Sequence, residues 1–279
     1  MPSATFYNGK FYGSNAPVIP LNDRSIFFGD AVYDALIGRG GKLYLAEEHI
    51  RRLEGNARAL KIPLFCSSDE LCDILYNVAK VSELREYFIY VQLSRCADER
   101  AHAYPDSQKS ALLVTASPFS LAPEGTRLKL ITEPDRRYGF CNLKTVNLLP
   151  AVLASRRAAE RGCDEAVFHR DGVVTECAHS NISILKDGAV ITHPNCEKIL
   201  PGIARGRLIF ACKALGIEVA ERPFSLEELF SADEVILTST TKICLAASEV
   251  DGRTVGGKDE KTLRILQKSL FSEYANWTM

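Results

Sequence analysis

The chain has 279 residues, 46% of them hydrophobic and 25% charged, with a formal net charge of −1. That is the composition of an ordinary globular protein, long enough for one large domain or two medium ones. A near-neutral balance supplies no long-range field for nucleic acid, a membrane surface or a polyanion, so a small-molecule site is the expected use of the surface.

Nine cysteines, an odd number with no Cys-x-x-Cys among them, fall mostly inside apolar runs. This pattern predicts small buried hydrophobes in a reducing cytoplasm rather than a disulfide framework or a zinc cluster. His49, His102, His169, His179 and His193 show no metal-ligand spacing. Gly-x-Gly-x-x-Gly, the dinucleotide fingerprint, is absent. The first residues have neither the basic start nor the apolar core of a signal peptide, and no apolar run approaches the ~20 residues that span a bilayer.

In chain order, residues 1–45 read as β structure, broken at Asn8-Gly9 and at Gly38-Arg39-Gly40-Gly41. The second break predicts a hairpin between Ala31–Ile37 and Lys42–Leu45. Residues 46–60 switch to helical period, with Ile50, Leu53, Ala57 and Leu60 on one face. Ser67-Ser68-Asp69-Glu70 caps a second helix reaching about Val81. Two β runs follow, 86–93 and 111–116. The Pro- and Ser-containing stretch 119–125 reads as a linker between an N-terminal domain, 1–118, and a C-terminal domain, 126–279. The second domain reads as strand 127–132, helix 145–161, strand 165–169 and a hairpin over 181–192. A helix from about Gly206 to Gly216, strand 234–237 and a terminal helix 259–274 follow. The fold class is α+β in two domains.

Four segments carry chemistry in combination. Lys144 stands among Leu143, Val146, Leu148 and Leu149, and desolvation makes an amine a better nucleophile toward carbonyls. Glu176 ends the apolar run Val173-Val174-Thr175, where an acid could pair with a pyridinium nitrogen. Gly202-Ile203-Ala204-Arg205 opens a helix, whose free N–H groups and dipole suit a phosphate. Thr238-Ser239-Thr240-Thr241 follows Val235-Ile236-Leu237, placing hydroxyls at the carboxyl end of a strand. Arg52 adds a forked cation for phosphate oxygens. Taken singly, each is ordinary: a lysine that snorkels to water, a surface acid, a turn, a solvated arginine.

Together, and in this order, the segments resemble the fold-type IV, class IV aminotransferases that use pyridoxal 5′-phosphate, and the match runs from Asp23-Arg24 and Phe28-Gly29-Asp30 to Thr241. The resemblance implies their two-domain fold. It also implies that Lys144 bonds the cofactor and shuttles the proton, and that Glu176 pairs with the pyridine nitrogen with Arg137 behind it. Leu200 would lie against the ring. Arg52, the backbone of Ile203 and Ala204, and Ser239 with Thr240 would hold the phosphate.

Within that family, Arg100 and His102, shortly before Pro105, resemble the carboxylate trap of the D-amino-acid aminotransferases, which Tyr33 completes. The branched-chain aminotransferases carry an arginine where this chain has Ile37, which counts against them. Thr175-Glu176-Cys177 is similar to a segment of the aminodeoxychorismate lyases, which remain the alternative. His179, where small serines are usual, and Ala204, where a threonine is usual, depart from the D-specific pattern. The implied reaction moves the amino group of a D-amino acid to a 2-oxo acid such as 2-oxoglutarate. A cytoplasmic homodimer is implied, each site built at the domain cleft and completed by the other subunit's Arg100 loop, with no nucleic acid, membrane or metal.

Overall fold

The computed structural model describes residues 3–13, 16–104 and 109–278. The chain divides into two compact units. The first comprises Met1–Ser120, Leu143–Asn147 and Trp277–Met279, and the second Leu121–Asn142 and Leu148–Asn276.

The first unit holds strands β1 (Ala4–Tyr7), β2 (Lys10–Tyr12), β3 (Ala31–Arg39), β4 (Lys42–Leu43), β5 (Glu86–Ser94) and β6 (Ala111–Pro118). They form one antiparallel sheet in the order β2-β1-β6-β5-β3-β4. Helices α1 (Arg24–Phe28), α2 (Ala46–Ala59) and α3 (Ser68–Val81) accompany it. In α2 and α3 the apolar residues recur at helical spacing, and Ile50, Leu53, Ala57, Leu71, Leu75 and Val78 pack with Leu36, Ile89 and Val114 of the sheet. Truncating a leucine such as Leu53 or Leu75 in this core would cost about 2–5 kcal/mol. Ser67 caps α3 in a reciprocal capping box with Glu70, as the sequence predicts.

Strands β3 and β5 pair over their whole length, setting Tyr33 opposite Gln92 and Ala35 opposite Tyr90. Alternation along β3 buries Val32, Asp34 and Leu36 on one face and leaves Tyr33 and Ala35 partly exposed on the other. The hairpin strands run to Arg39 and stop at Leu43, a little offset from the expected limits.

Residues 24–28 are a helix rather than the β structure expected for 1–45. Asp23 caps it by accepting from the Ser25 N–H, and Gly29, at φ +63°, ends it in the left-handed conformation. The expected helix over 145–161 begins only at Leu149 (α4, Leu149–Glu160), with Pro150 in its first turn. The residues before it are extended instead: Thr145 bridges Val32, Tyr33 N–H donates to the Lys144 carbonyl at 2.9 Å and Val146 N–H to the Ala31 carbonyl at 3.3 Å. Leu143–Asn147, although late in the sequence, is therefore part of the first unit.

The second unit is built on a larger mixed sheet. Its strands are β7 (Arg127–Pro134), β8 (Glu165–Arg170), β9 (Val173–Cys177), β10 (Asn181–Lys186), β11 (Ala189–Thr192), β12 (Glu218–Glu221), β13 (Glu234–Thr238), β14 (Leu245–Val250) and β15 (Arg253–Thr254). The order is β12-β11-β10-β13-β14-β7-β8-β9, with β15 on β14. Helices α5 (Ile203–Ala214), α6 (Leu226–Ser231) and α7 (Glu260–Thr278) complete the set. Helix α5 begins at Ile203, three residues before the expected start, because extended Gly202 (φ −70°, ψ 132°) serves as its N-cap. Helix α7 runs past the expected 274 to Thr278, and Trp277 donates from its indole to the Leu43 carbonyl at 2.8 Å. Among the described residues, no helix is long and apolar enough to cross a membrane.

Candidate active site

In the first unit the site begins with a buried charge. Asp34 is fully buried on the inward face of β3, and a carboxylate withdrawn from water requires partners. Helix α2 supplies two, three residues apart and so on one helix face. Arg52 donates from Nε to Oδ2 at 2.8 Å and from Nη2 to Oδ1 at 2.7 Å, and His49 Nδ1 lies 2.7 Å from Oδ1. Burial pushes the Asp34 carboxyl up, but the Arg52 guanidinium and the hydrogen bonds from Arg52 and His49 outweigh it and hold the group far below the usual carboxylate range. Burial pushes the His49 imidazole down more than Asp34 raises it, so the neutral ring donates through Nδ1–H.

Lys144 is half-buried on the extended segment beside β3. Its Nζ sits 4.5 Å from the centroid of the Tyr33 ring, a cation–π distance. The Tyr33 ring stacks on Tyr90 at 5.4 Å, and the Tyr90 hydroxyl donates to Gln92 Oε1 at 2.7 Å. Burial, with Tyr33 adding to it, pushes the Tyr90 phenol up, so it stays neutral. Asn147, three residues on, donates to the Gly29 carbonyl at 3.0 Å, and a Cβ on Gly29 would come 2.2 Å from Asn147 Oδ1.

Arg100 and His102 are brought together on α1. Arg100 lies 5.4 Å from the Phe28 ring centroid and 5.7 Å from that of Phe27, and the His102 ring is 5.4 Å from Phe28. Both are exposed. Their backbone is pinned by buried Arg24, which donates to the Ala101 carbonyl at 2.7 Å and the His102 carbonyl at 3.2 Å and pairs with Asp30 at 2.8 Å. Within this chain these two residues meet Phe28, while Tyr33 meets Lys144 and Tyr90. Pro105 lies outside the described residues.

In the second unit Glu176, 5% exposed, is the penultimate residue of β9. Its Oε1 accepts from Arg137 Nη1. Its Oε2 accepts from Asn181 Nδ2 and from the Leu200 N–H, each at 3.0 Å. Arg137 is itself held by Asp135, through Nε and Nη2 at 2.9 Å. Asp135 also accepts from Arg170 at 3.1 Å. Burial raises Asp135 less than Arg137 and Arg170 lower it, so it stays ionised. The sequence reasoning named Arg137 and Leu200; Leu200 reaches Glu176 through its backbone.

Helix α5 opens next to this cluster in sequence. The N–H groups of Ile203 and Ala204 occupy its first turn, where helix geometry offers no internal acceptor. Ala204 brings no hydroxyl. Ser239 and Thr240 follow β13 and are half-buried; Ser239 Oγ lies 3.4 Å from Thr241 Oγ1 and accepts from the Lys242 N–H at 3.2 Å. His179 is half-exposed, its Nδ1 3.2 Å from Lys242 Nζ and 3.4 Å from Oε1 of buried Glu165. Lys242 in turn pairs with Glu165 at 3.0 Å.

Asp34, His49 and Asp135 are site-forming residues that the sequence alone did not single out. The i, i+3 spacing of His49 and Arg52 and the Asp-x-Arg of Asp135 and Arg137 are the signals that could have pointed to His49 and Asp135. No local signal marks Asn181 as a partner of Glu176, because that contact depends on the turn between β9 and β10.

Each unit carries donors that suit pyridoxal phosphate. In the second, a buried carboxylate paired with an arginine suits a protonated ring nitrogen, and first-turn N–H groups and strand-end hydroxyls suit a dianionic phosphate. In the first, a forked guanidinium suits phosphate oxygens and a half-buried amine suits an aldehyde.

Comparison with known proteins identifies the family. Residues 31–250 match the family model described as amino-transferase class IV. A D-alanine aminotransferase of Staphylococcus haemolyticus is 33% identical over 275 residues, covering 96% of each chain. Among solved structures, an Escherichia coli branched-chain amino acid aminotransferase has a TM-score of 0.90 at 23% identity, covering 100% of this chain and 96% of that one. A putative 4-amino-4-deoxychorismate lyase of Legionella pneumophila has a TM-score of 0.86 at 26% identity, covering 93% of this chain and 97% of that one.

Proposed function

The chain belongs to the class IV aminotransferase family, and from that footing we propose that it is a pyridoxal-phosphate-dependent transaminase moving the amino group of a D-amino acid such as D-alanine to a 2-oxo acid such as 2-oxoglutarate. The observation that carries the reading is the Glu176 carboxylate, buried and paired with Arg137. Bound pyridoxal phosphate supplies an aldehyde that exchanges amines and a ring that takes up electrons released at the substrate Cα.

The protein's part is binding, orientation and proton handling. Lys144 Nζ carries the proton to and from the substrate Cα, and its place above the Tyr33 ring limits where it can swing. Glu176 would face the ring nitrogen and supply the negative charge that favours its protonation, and Arg137 braces the Glu176 carboxylate from behind. Arg52, fixed by Asp34, the N–H groups of Ile203 and Ala204, and the hydroxyls of Ser239 and Thr240 hold the phosphate. Leu200 packs against the ring. Tyr33 and the Arg100–His102 pair bind the substrate carboxylate.

D-selectivity is supported by the Tyr33, Arg100 and His102 pattern and by the likeness to the D-alanine aminotransferase. We place the Arg100–His102 pair in the site of a second copy, as a homodimer. Exposed Leu149, Val152 and Leu153, at 67%, 58% and 49%, put an apolar stripe on α4 that such a copy would cover. The protein acts in the cytoplasm on this reading.

The test is an absorbance titration of the cofactor-loaded protein with D-alanine and then with L-amino acids. Conversion of the cofactor band by D-alanine, with pyruvate formed, supports the proposal. Conversion by L-leucine alone replaces it with branched-chain specificity. Pyruvate released from aminodeoxychorismate without a 2-oxo acid replaces it with the lyase, which the Thr175-Glu176-Cys177 segment and the 26% identical neighbour favour as the second reading.

A further inference from the structure

Asn181 opens β10, 6% exposed, and its side chain touches two parts of the site at once. Nδ2 donates to Glu176 Oε2 at 3.0 Å and to the Leu200 carbonyl at 2.9 Å. The Leu200 N–H closes the circuit by donating to the same Glu176 oxygen at 3.0 Å. Both neighbours of Nδ2 are acceptors, so the amide has one permitted orientation, with Oδ1 on the opposite side.

That side is Gly202. A Cβ built on Gly202 would lie 1.8 Å from Asn181 Oδ1 and 3.0 Å from Cγ, so the amide occupies the space a side chain there would need. Gly202 is the N-cap of α5, and it directly precedes the N–H groups of Ile203 and Ala204. The backbone of Asn181 also pairs with Thr238, the residue before Ser239 and Thr240. One buried side chain thus joins the acid assigned to the ring nitrogen to the turn assigned to the phosphate, and its backbone reaches the strand that ends in the hydroxyls.

We infer that Asn181 is a positioning residue that fixes the spacing between the ring-side carboxylate Glu176 and the phosphate-side turn at Gly202, so that ring and phosphate of one cofactor molecule are gripped together. The inference rests on the functional reading above. It makes the two grips interdependent: with Asn181 in place, a ligand satisfying Glu176 has its phosphate already aligned with the α5 N-terminus, as preorganisation requires. Without Asn181, Glu176 and the turn keep their chemistry and lose their common ruler.

The test compares dissociation constants of pyridoxal phosphate and of pyridoxal, which lacks the phosphate, for the apoprotein. The ratio of the two measures what the phosphate adds once the ring is bound. In Asn181→Ala that ratio falls by about tenfold or more, the size of one lost hydrogen bond to a charged group. Gly202→Ala, which pushes the amide away from the other side, shrinks it likewise and serves if Asn181→Ala fails to fold. A merely structural role weakens both ligands equally and leaves the ratio unchanged, which overturns the inference alone. Failure of the wild-type protein to bind pyridoxal phosphate overturns the functional reading and the inference with it.

Discussion

Asp34 and Arg52 meet side-on, two parallel N–H···O contacts of 2.7 and 2.8 Å joining a fully buried carboxylate to a guanidinium 11% exposed. The pair fixes a cation that sequence alone presents as an ordinary helical arginine. Breaking it from the acid side leaves Arg52 and His49 facing an uncompensated gap. Asp34→Ala is expected to lower the unfolding free energy by about 3–5 kcal/mol. Urea denaturation of the apoprotein checks this, and a loss under 1 kcal/mol would contradict it.

His49 gives the same cluster a pH dependence. Its folded pKa is depressed, chiefly by burial, below the unfolded value of about 6.5. Between those two values the unfolded chain binds the extra proton, so the His49 contribution is fully present above about pH 6.5 and is lost as pH falls toward the folded pKa. Moving from about pH 7.5 to about pH 5.5 should therefore cost the wild type more stability than it costs His49→Asn, in which Nδ2 replaces the Nδ1 donor. Equal losses in both proteins would show that His49 is not neutral in the fold.

Arg137 bridges Asp135 and Glu176. Arg137→Gln keeps a donor and removes the charge paired with Glu176. Turnover is expected to fall about 10- to 100-fold, the size of one charge-assisted hydrogen bond, with KM changing much less. Steady-state kinetics with D-alanine and 2-oxoglutarate measure both.

Lys144→Ala removes the only group assigned to move the Cα proton. No turnover above background should survive, while Tyr33 and the Tyr90 stack remain. Multiple turnovers by this variant, followed with a coupled assay, would sink the assignment.

Arg100→Ala should act differently. Its guanidinium is exposed over Phe27 and Phe28, so the fold has little need of it. KM for the amino acid should rise about tenfold or more, with kcat within a few-fold, because a carboxylate anchor acts alike on ground and transition states. An unchanged KM would remove Arg100 from substrate binding.

Much of this was legible in residue order. Ser67 and Glu70 announced the start of α3, and the glycines at 40 and 41 announced the β3–β4 turn. Local spacing failed where a distant segment decides the conformation. Thr145 and Val146 follow an apolar helical pattern, yet they extend because the edge residues Ala31 and Val32 offer them partners. Asp23 and Gly29 bracket a five-residue helix too short to show a period. At the site, Lys144, Glu176 and Arg52 could be named because their types suit one cofactor. Asp34 and Asp135 could not, since their value lies in whom they touch.

Trp277 gives the first unit an unusual order of assembly. Its indole donor reaches Leu43, its ring meets Tyr44 edge-on at 5.9 Å, and Lys144 rides on the same unit from the middle of the sequence. A ribosome that has delivered residues 1–120 has therefore made most of this unit and neither its lysine nor its final clasp. The part translated first is finished last, and a nascent chain stalled before residue 277 would lack the indole that meets Leu43 and Tyr44.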